Sequence, residues 1–303
     1  MPSPCVFFEA LDLLDLWHLY GQAKRVADLR RVSISKVSRR SWELIVDMGL
    51  GVTESRGAPD PQFLGAASLL LMRQAYQQWR LEQGCLKVLP TFAASVALRE
   101  LQPQVDVLPD VYLSAEALAE HLQLRRIDLV VSSSLDLAGE LIQNAQTDPE
   151  SPFAVVPLFE DEVRLAVNPN HPLAGLPEAT PEDCQAFPSA GYPQGVARLA
   201  EEALRQRGLW RFACKRNHFV ANEWLLGMRS PTGLCYETLF LAELLPESRD
   251  LAVLPFSQPV YQTNCVLMLK ELASQPQLEE AVALVRNSMF RFLARSNHAF
   301  NYC

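Results

Sequence analysis

Between Ser33 and Arg39 the chain alternates short hydroxyls and cations, Ser33-Ile34-Ser35-Lys36-Val37-Ser38-Arg39. Side chains of these types can meet both phosphate oxygens and the donor and acceptor edges of base pairs. The surrounding charge points the same way. From Lys24 to Arg40 the cations Lys24, Arg25, Arg30, Arg31, Lys36, Arg39 and Arg40 stand against Asp28 alone, a local charge of +6 in a 303-residue chain of net charge −8. Taking that +6 from −8 leaves −14 for everything else. Such segregation is expected when one small module meets phosphate and the rest does something different.

Presenting those side chains requires a helix-turn-helix. Val26-Ala27-Asp28-Leu29 reads as the end of a short helix, and Arg30-Arg31-Val32-Ser33 as the turn. Ser33 is a good N-cap, since its hydroxyl can accept an otherwise orphaned N–H of the next turn. Val37, Leu44 and Ile45 then face inward, leaving Ser35, Lys36, Ser38, Arg39 and Arg40 outward. A helix of that kind fits the major groove of B-DNA, with Lys24, Arg25 and Arg40 near phosphate. For the charge run alone, an ordinary solvated basic helix is the competing reading.

The breaker cluster Gly57-Ala58-Pro59-Asp60-Pro61 closes this module at about residue 60. Beyond it Leu64, Ala67, Leu71, Ala75 and Trp79 fall on one face of a long helix over 61–83, widened by Phe63, Ala66 and Leu70. A self-paired helix that makes a homo-oligomer, at least a dimer, buries this face most simply; packing on its own domain is the alternative.

From Gly84 the pattern becomes strands alternating with helices. Strands are expected at Leu86–Leu89, Val105–Leu108, Ile127–Val131, Phe153–Leu158, Val163–Val167, Leu251–Leu254 and Val266–Leu269. Helices are expected at Phe92–Leu101, Ala115–Leu124 and Val196–Arg207, with a closing helix whose Leu278, Val282, Val285, Met289 and Phe292 share a face. This alternation predicts α/β units on a mostly parallel sheet. Ligands of such sheets sit beyond the carboxyl ends of strands, where helix N-termini offer free N–H groups. Thr91 with Phe92, Ser114, Ser132, and Tyr192 with Gln194 and Gly195 occupy four such corners. Each alone is adequately explained as a helix cap. Together they suit a small organic effector with one carboxylate or similar anion, walled by Phe92, Tyr112 and Tyr192.

Size and composition exclude other classes. A chain of this length suits two or three domains, and 49% hydrophobic with 20% charged residues is ordinary for a globular protein. No apolar run is long and uncharged enough to span a membrane, and Met1–Trp17 carries Glu9, Asp12 and Asp15 without Lys or Arg, unlike a secretory signal. A cytoplasmic location without membrane association is expected. Seven well-separated cysteines rule out a C-x-x-C motif; Cys85 and Cys265, inside apolar runs, read as small buried hydrophobes. No nucleophile elbow, phosphate-binding loop, dinucleotide fingerprint or H-E-x-x-H motif is present, and the five histidines have no metal-ligand spacing. His171, in a turn-like Asn170-His171-Pro172, reads as a surface residue. Neither catalysis, cofactor nor metal is implied.

The Ser-x-x-x-Val-Ser-Arg spacing resembles the start of the recognition helix in LysR-type transcriptional regulators. Pro61–Trp79 is similar to that family's linker helix, and Gly84-Cys85-Leu86-Lys87-Val88 to the opening strand of its effector domain. Pro157–Glu162 with Asn168–Ala174, and Gly233-Leu234 through Phe240–Pro246, resemble later stretches in the right order. The resemblance implies a winged helix-turn-helix over 1–60, a linker helix to 83 and a two-lobed, periplasmic-binding-protein-like α/β effector domain over 84–303. Lobe I would be 84–158 and 265–303, lobe II 159–264. It also implies double-stranded DNA and a small-molecule effector as partners, and makes a tetramer conceivable beside the dimer. The sequence departs from the pattern at Lys24, where a hydroxyl is common, at Val26, where alanine is, and in a shortened wing at Gly49–Gly57. Two classes of function therefore stay open: a sequence-specific DNA-binding regulator, or a regulator-derived small-molecule-binding or protein-interaction protein that no longer binds DNA.

Overall fold

The computed structural model describes residues 4–50, 67–101, 104–111, 113–188, 190–193, 198–209, 212–214, 231–237, 250–295 and 301–302. The chain forms two compact units, Met1–Leu86 with Ala119–Asp128, and Lys87–Leu118 with Leu129–Cys303.

The first unit is helical: α1 (Pro4–Tyr20), α2 (Ala23–Arg30), α3 (Ile34–Asp47) and α4 (Ala67–Gln83). α1 is apolar nearly all round, and Leu11, Leu13, Leu14 and Leu16 are buried. Leu11 and Leu14 pack with Leu44 and Ile45 of α3 and with Leu69 and Tyr76 of α4. The turn between α2 and α3 is made by Arg31, at φ 53° in the left-handed region, after which the Val32 N–H donates to the Ala27 carbonyl at 3.0 Å. This is the usual helix-terminating geometry, with arginine where glycine would be easiest. α4 stops the same way at Gly84 (φ +66°), where the Cys85 N–H reaches the Arg80 carbonyl at 2.9 Å.

α4 turns polar residues inward. Arg73, Gln77 and Arg80 are buried, while the expected apolar face at Ala67, Leu71, Ala75 and Trp79 is exposed, Leu71 to 65%. Leu64, Phe63 and Ala66 lie outside the described residues, as do the wing from residue 51 onward, Tyr112 and the Phe240–Pro246 stretch.

The interior of this unit carries ion pairs. Arg73 Nε donates to Asp15 Oδ1 at 2.9 Å, and Arg80 Nη2 to Asp128 Oδ1 at 2.7 Å, with Gln77 Nε2 on the same Asp128 oxygen at 2.8 Å. Arg126 Nε stands 4.0 Å from Asp15, and Arg126 Nη1 lies 3.3 Å from His121 Nδ1. Burial, then the Arg126 charge, pushes His121 down to about 3. Burial likewise lowers Arg126 to about 10 against the pull of Asp15. For Arg80 burial also acts downward, but Asp128 overrides it and raises the guanidinium above its ordinary value.

The second unit is built on a sheet whose main path runs, in order, through Asn301–Tyr302, Phe153–Val167, Val260–Leu269, Leu129–Ser133, Lys87–Pro90 and Asp106–Val107. Its strands are β1 (Lys87–Pro90), β2 (Asp106–Val107), β3 (Leu129–Ser133), β4 (Phe153–Val167), β5 (Ala190–Pro193), β6 (Phe212–Cys214), β7 (Leu234–Glu237), β8 (Ala252–Leu254), β9 (Val260–Leu269) and β10 (Asn301–Tyr302). Its helices are α5 (Phe92–Leu98), α6 (Ala115–Gln123, whose last turns belong to the helical unit), α7 (Gly139–Thr147), α8 (Pro181–Cys184), α9 (Arg198–Arg205) and α10 (Pro276–Arg295). β1 runs parallel to β2 and β3, but β9 is antiparallel to β3 and β4, so the sheet is mixed rather than mostly parallel.

The two strands expected at Phe153–Leu158 and Val163–Val167 are one, β4. Its polar middle stays paired because Asp161 finds side-chain partners on β9, accepting from Asn264 Nδ2 at 2.6 Å and Gln262 Nε2 at 3.3 Å. A register shift between Pro157 and Phe159 falls where proline has no N–H to give the ladder. Past Val163, β4 pairs with β7 and β8 instead, over a second core of Leu165, Val167, Leu234, Tyr236 and Leu254. α10 buries Leu278, Val282, Val285, Met289 and Leu293, with Phe292 only half-buried, and Ser288 Oγ donates to the Ala97 carbonyl of α5 at 2.6 Å.

Two expectations are corrected. Cys85 is exposed, because it sits in the turn before β1 rather than in the strand, whereas Cys265 is buried in β9. His171 is buried, not superficial: its Nδ1 accepts from the Leu173 N–H at 3.1 Å and its ring centroid lies 4.4 Å from that of Phe187.

Candidate functional site

Two groups of residues come out of the sequence as candidates, and the structure treats them differently. The first is α3 with the end of α2. Ser33 caps α3, its Oγ accepting from the Lys36 N–H at 3.1 Å. Val37, Ser41, Leu44 and Ile45 are buried behind it. The opposite face shows Ser35 and Arg39, both exposed, with Ser38 half-buried. Lys24 and Arg25 are exposed on α2, Arg25 lying over the Tyr20 ring at 4.4 Å.

Not all of the expected cations are equally available. Lys36 Nζ holds Glu9 Oε1 at 2.6 Å, and Arg40 Nη1 holds Glu43 Oε2 at 3.0 Å. Arg39, the most exposed of the three, lies 3.7 Å from the same Glu43. Arg30 is bound to Asp12 at 2.7 Å. Counting charge by sequence window missed Glu9 and Glu43, since one lies on a different helix and the other just past the window. Helical spacing flags Glu43, at i+4 from Arg39 and i+3 from Arg40; nothing local flags Glu9.

The second group lies at the carboxyl ends of β1 and β3. These parallel neighbours end side by side, with the Thr91 N–H donating to the Val131 carbonyl at 2.8 Å. Thr91 precedes α5 but its hydroxyl does not cap it; it bonds to Asp136 instead. Burial raises the Asp136 carboxyl above its ordinary value, although the Leu137 N–H and the Thr91 hydroxyl both favour the charged form. Ser132 is buried at the end of β3, its Oγ without a hydrogen-bond partner. Ser133 Oγ donates to Gln262 Oε1 at 2.7 Å, joining the Gln262–Asp161–Asn264 cluster. α7 starts hard against this strand end: a β-carbon on Gly139 would stand 2.5 Å from the Ser134 carbonyl oxygen, so glycine is needed there.

Of the seven expected effector residues, Thr91 and Ser132 are thus brought together. Phe92 opens α5 beside them. Ser114 does what a cap does, its Oγ accepting from the Ala117 N–H at 3.3 Å, and after the Glu116 backbone N–H it is the second group that lowers the Glu116 carboxyl. Tyr192 lies in β5, part of a separate two-stranded sheet with β6, and Gln194 and Gly195 fall outside the described residues. Asp136, Gln262 and Asn264 were missed. Gln262 and Asn264 alternate on one face of an otherwise apolar strand, a pattern that marks a buried polar cluster.

The comparisons with known proteins agree with this geometry. Residues 86–289, more than half of the chain, match the family described as the LysR substrate binding domain. No curated protein sequence matches. Among solved structures, full-length OxyR from Pseudomonas aeruginosa, a variant protein, is similar at 15% identity and TM-score 0.57, over 93% of this chain and 94% of that one. Full-length CbnR in complex with its target DNA is similar at 16% identity and TM-score 0.52, over 93% and 99%. The regulatory domain of MetR from N. meningitidis is similar at 16% identity and TM-score 0.50, over 69% and 95%. At such identities these likenesses speak for the fold, a helical N-terminal part followed by a two-lobed α/β effector domain. With the family match across 86–289, they place this chain in the LysR family of transcriptional regulators.

Proposed function

We propose that this regulator binds double-stranded DNA sequence-specifically through α3. The observation that carries the reading is a capped helix whose outer face offers Ser35 and Arg39, beside the exposed Lys24 and Arg25. CbnR, of similar fold, was solved on its target DNA. Arg39 and Ser38 read base edges; Lys24 and Arg25 contact phosphate. Lys36 and Arg40 enter the interface only by exchanging Glu9 and Glu43 for DNA. Gel-shift titration against the upstream region of its own gene tests this. Arg39→Ala should abolish or greatly weaken specific binding, whereas Lys24→Ala should weaken all sequences alike and lower the salt slope by about one. Binding indifferent to both substitutions overturns the assignment. A derived protein without DNA binding is the second reading, favoured by the neutralising Glu9 and Glu43 pairs.

The exposed face Ala67, Leu71, Ala75 and Trp79 supports a dimer through α4. Leu71→Glu should shift sedimentation toward the monomer. For the effector we propose a small organic anion at Thr91 and Ser132, between lobe I (84–158 and 265–303) and lobe II (159–264). The change of partners along β4 supports that division. Burial raises the Asp136 carboxyl, and its bonds to the Leu137 N–H and the Thr91 hydroxyl occupy it, which eases the approach of an anion. Thermal-shift screening with small organic acids tests this: Ser132→Ala and Thr91→Val should each lose stabilisation that the natural protein shows. A cytoplasmic location follows from the same reading; no helix among the described residues is long and apolar enough to cross a membrane.

A further inference from the structure

Ile34 is the first residue of α3, immediately after the Ser33 cap, and is 51% exposed. It is not part of the cluster that Leu11, Leu14, Leu44, Ile45 and Tyr76 form behind the helix. Neither helix formation nor packing accounts for it. A β-branched residue is a middling choice in a helix, and an acidic side chain would suit the positive end better, yet the first turn of α3 contains none.

We propose that Ile34 reads the C5 methyl group of a thymine in the major groove. The inference rests on the DNA-binding role proposed for α3 and names a base contact within it. Residues at the N-terminal end of a recognition helix are those that reach base edges, and thymine is the base that presents a methyl group there. The charge around Ile34 fits a duplex rather than an apolar protein partner: Lys24, Arg25, Arg31 and Arg39 are exposed nearby in the module. Hydrogen-bonding readers at this tip are few, because Lys36 is held by Glu9. Branching at Cβ leaves isoleucine essentially one χ1 rotamer in a helix, so its methyl groups are already in place when DNA arrives. Ser38 lies one turn further along the same face and supplies a hydroxyl to the adjoining base pair.

The test uses the full-length protein. Its preferred duplex is first selected from random sequences, and each thymine is then replaced in turn by uracil, which keeps base pairing and phosphates and removes only the methyl. One position per half-site should be sensitive, uracil there weakening binding about fourfold, the value of one buried methyl group. Ile34→Ser should bind thymine and uracil duplexes equally while keeping its response to Arg39→Ala. If no duplex is bound at all, the DNA-binding role falls and this contact with it. If duplexes are bound in an Arg39-dependent way but no uracil matters, the role stands and the Ile34 contact is overturned. Uracil sensitivity that survives Ile34→Ser overturns it too, since another residue then reads the methyl.

Discussion

In the helical unit Asp15, Arg73, Arg80, Arg126 and Asp128 lie inside, whereas the α/β unit closes over residues such as Val88, Val130, Val266 and Leu267, with the hydrogen-bonded Ser133–Gln262–Asp161–Asn264 cluster among them. The difference separates two ways of fixing a structure. Apolar burial is strong but undirected, so it stabilises without dictating which rotation of a helix is right. A buried ion pair contributes little net stability, because desolvation offsets the attraction, but it tolerates one geometry only. α4 is held by such pairs at Arg73 and Arg80, which sets its exposed apolar face in a definite direction. Burial first, and then the charge of the neighbouring Arg126, accounts for the neutral His121 in the same interior.

The sharpest way to break this contrast is to remove one partner. Arg80→Met leaves Asp128 buried without its main counter-charge and should cost about 3–5 kcal/mol in denaturant unfolding. Adding Asp128→Leu should recover most of it; a single variant that costs under about 1 kcal/mol would mean that the interior is wetter than described. On the apolar side Leu267→Ala, in the middle of β9, should cost about 2–5 kcal/mol with no rescue by any charged partner.

Acid separates the units more gently. His121 titrates near its ordinary 6.5 when unfolded and near 3 when folded. Between those values the unfolded chain binds more protons, so stability is full above pH 6.5 and declines as pH falls, by about 1 kcal/mol per unit. His121→Asn, which keeps an acceptor for Arg126 but cannot titrate, should flatten the acid limb of a stability–pH curve. The smallest effect is expected at Ser33→Ala, about 1 kcal/mol from the lost cap of α3, read from helicity or unfolding midpoint.

Much of this architecture was legible in the sequence wherever a residue's role was local. Ser33 capping α3, Val37, Leu44 and Ile45 facing inward, Thr91 after the first strand and the inner face of α10 all follow from spacing of three, four or two. What failed was long-range. β4 looked like two strands because Asp161 interrupts its apolar pattern, and only Gln262 and Asn264, a hundred residues away, make that carboxylate tolerable inside. The partners of Lys36 and Thr91, namely Glu9 and Asp136, are likewise set by packing. The inward face of α4 was misleading for a simpler reason: hydropathy assigns arginine to water, and Arg73 and Arg80 have found aspartates instead.

The placement of Ala119–Asp128 in the helical unit has a practical consequence for anyone cutting the protein. The backbone passes through that unit twice, first as Met1–Leu86 and again as this ten-residue return. A protease nick beside Cys85 would therefore not release two free pieces, since the larger fragment keeps Asp128 and Arg126 lodged among the helices of the smaller. Separation would part Arg80 from Asp128, one on each fragment, whereas Arg73 and Asp15 stay paired on the smaller one.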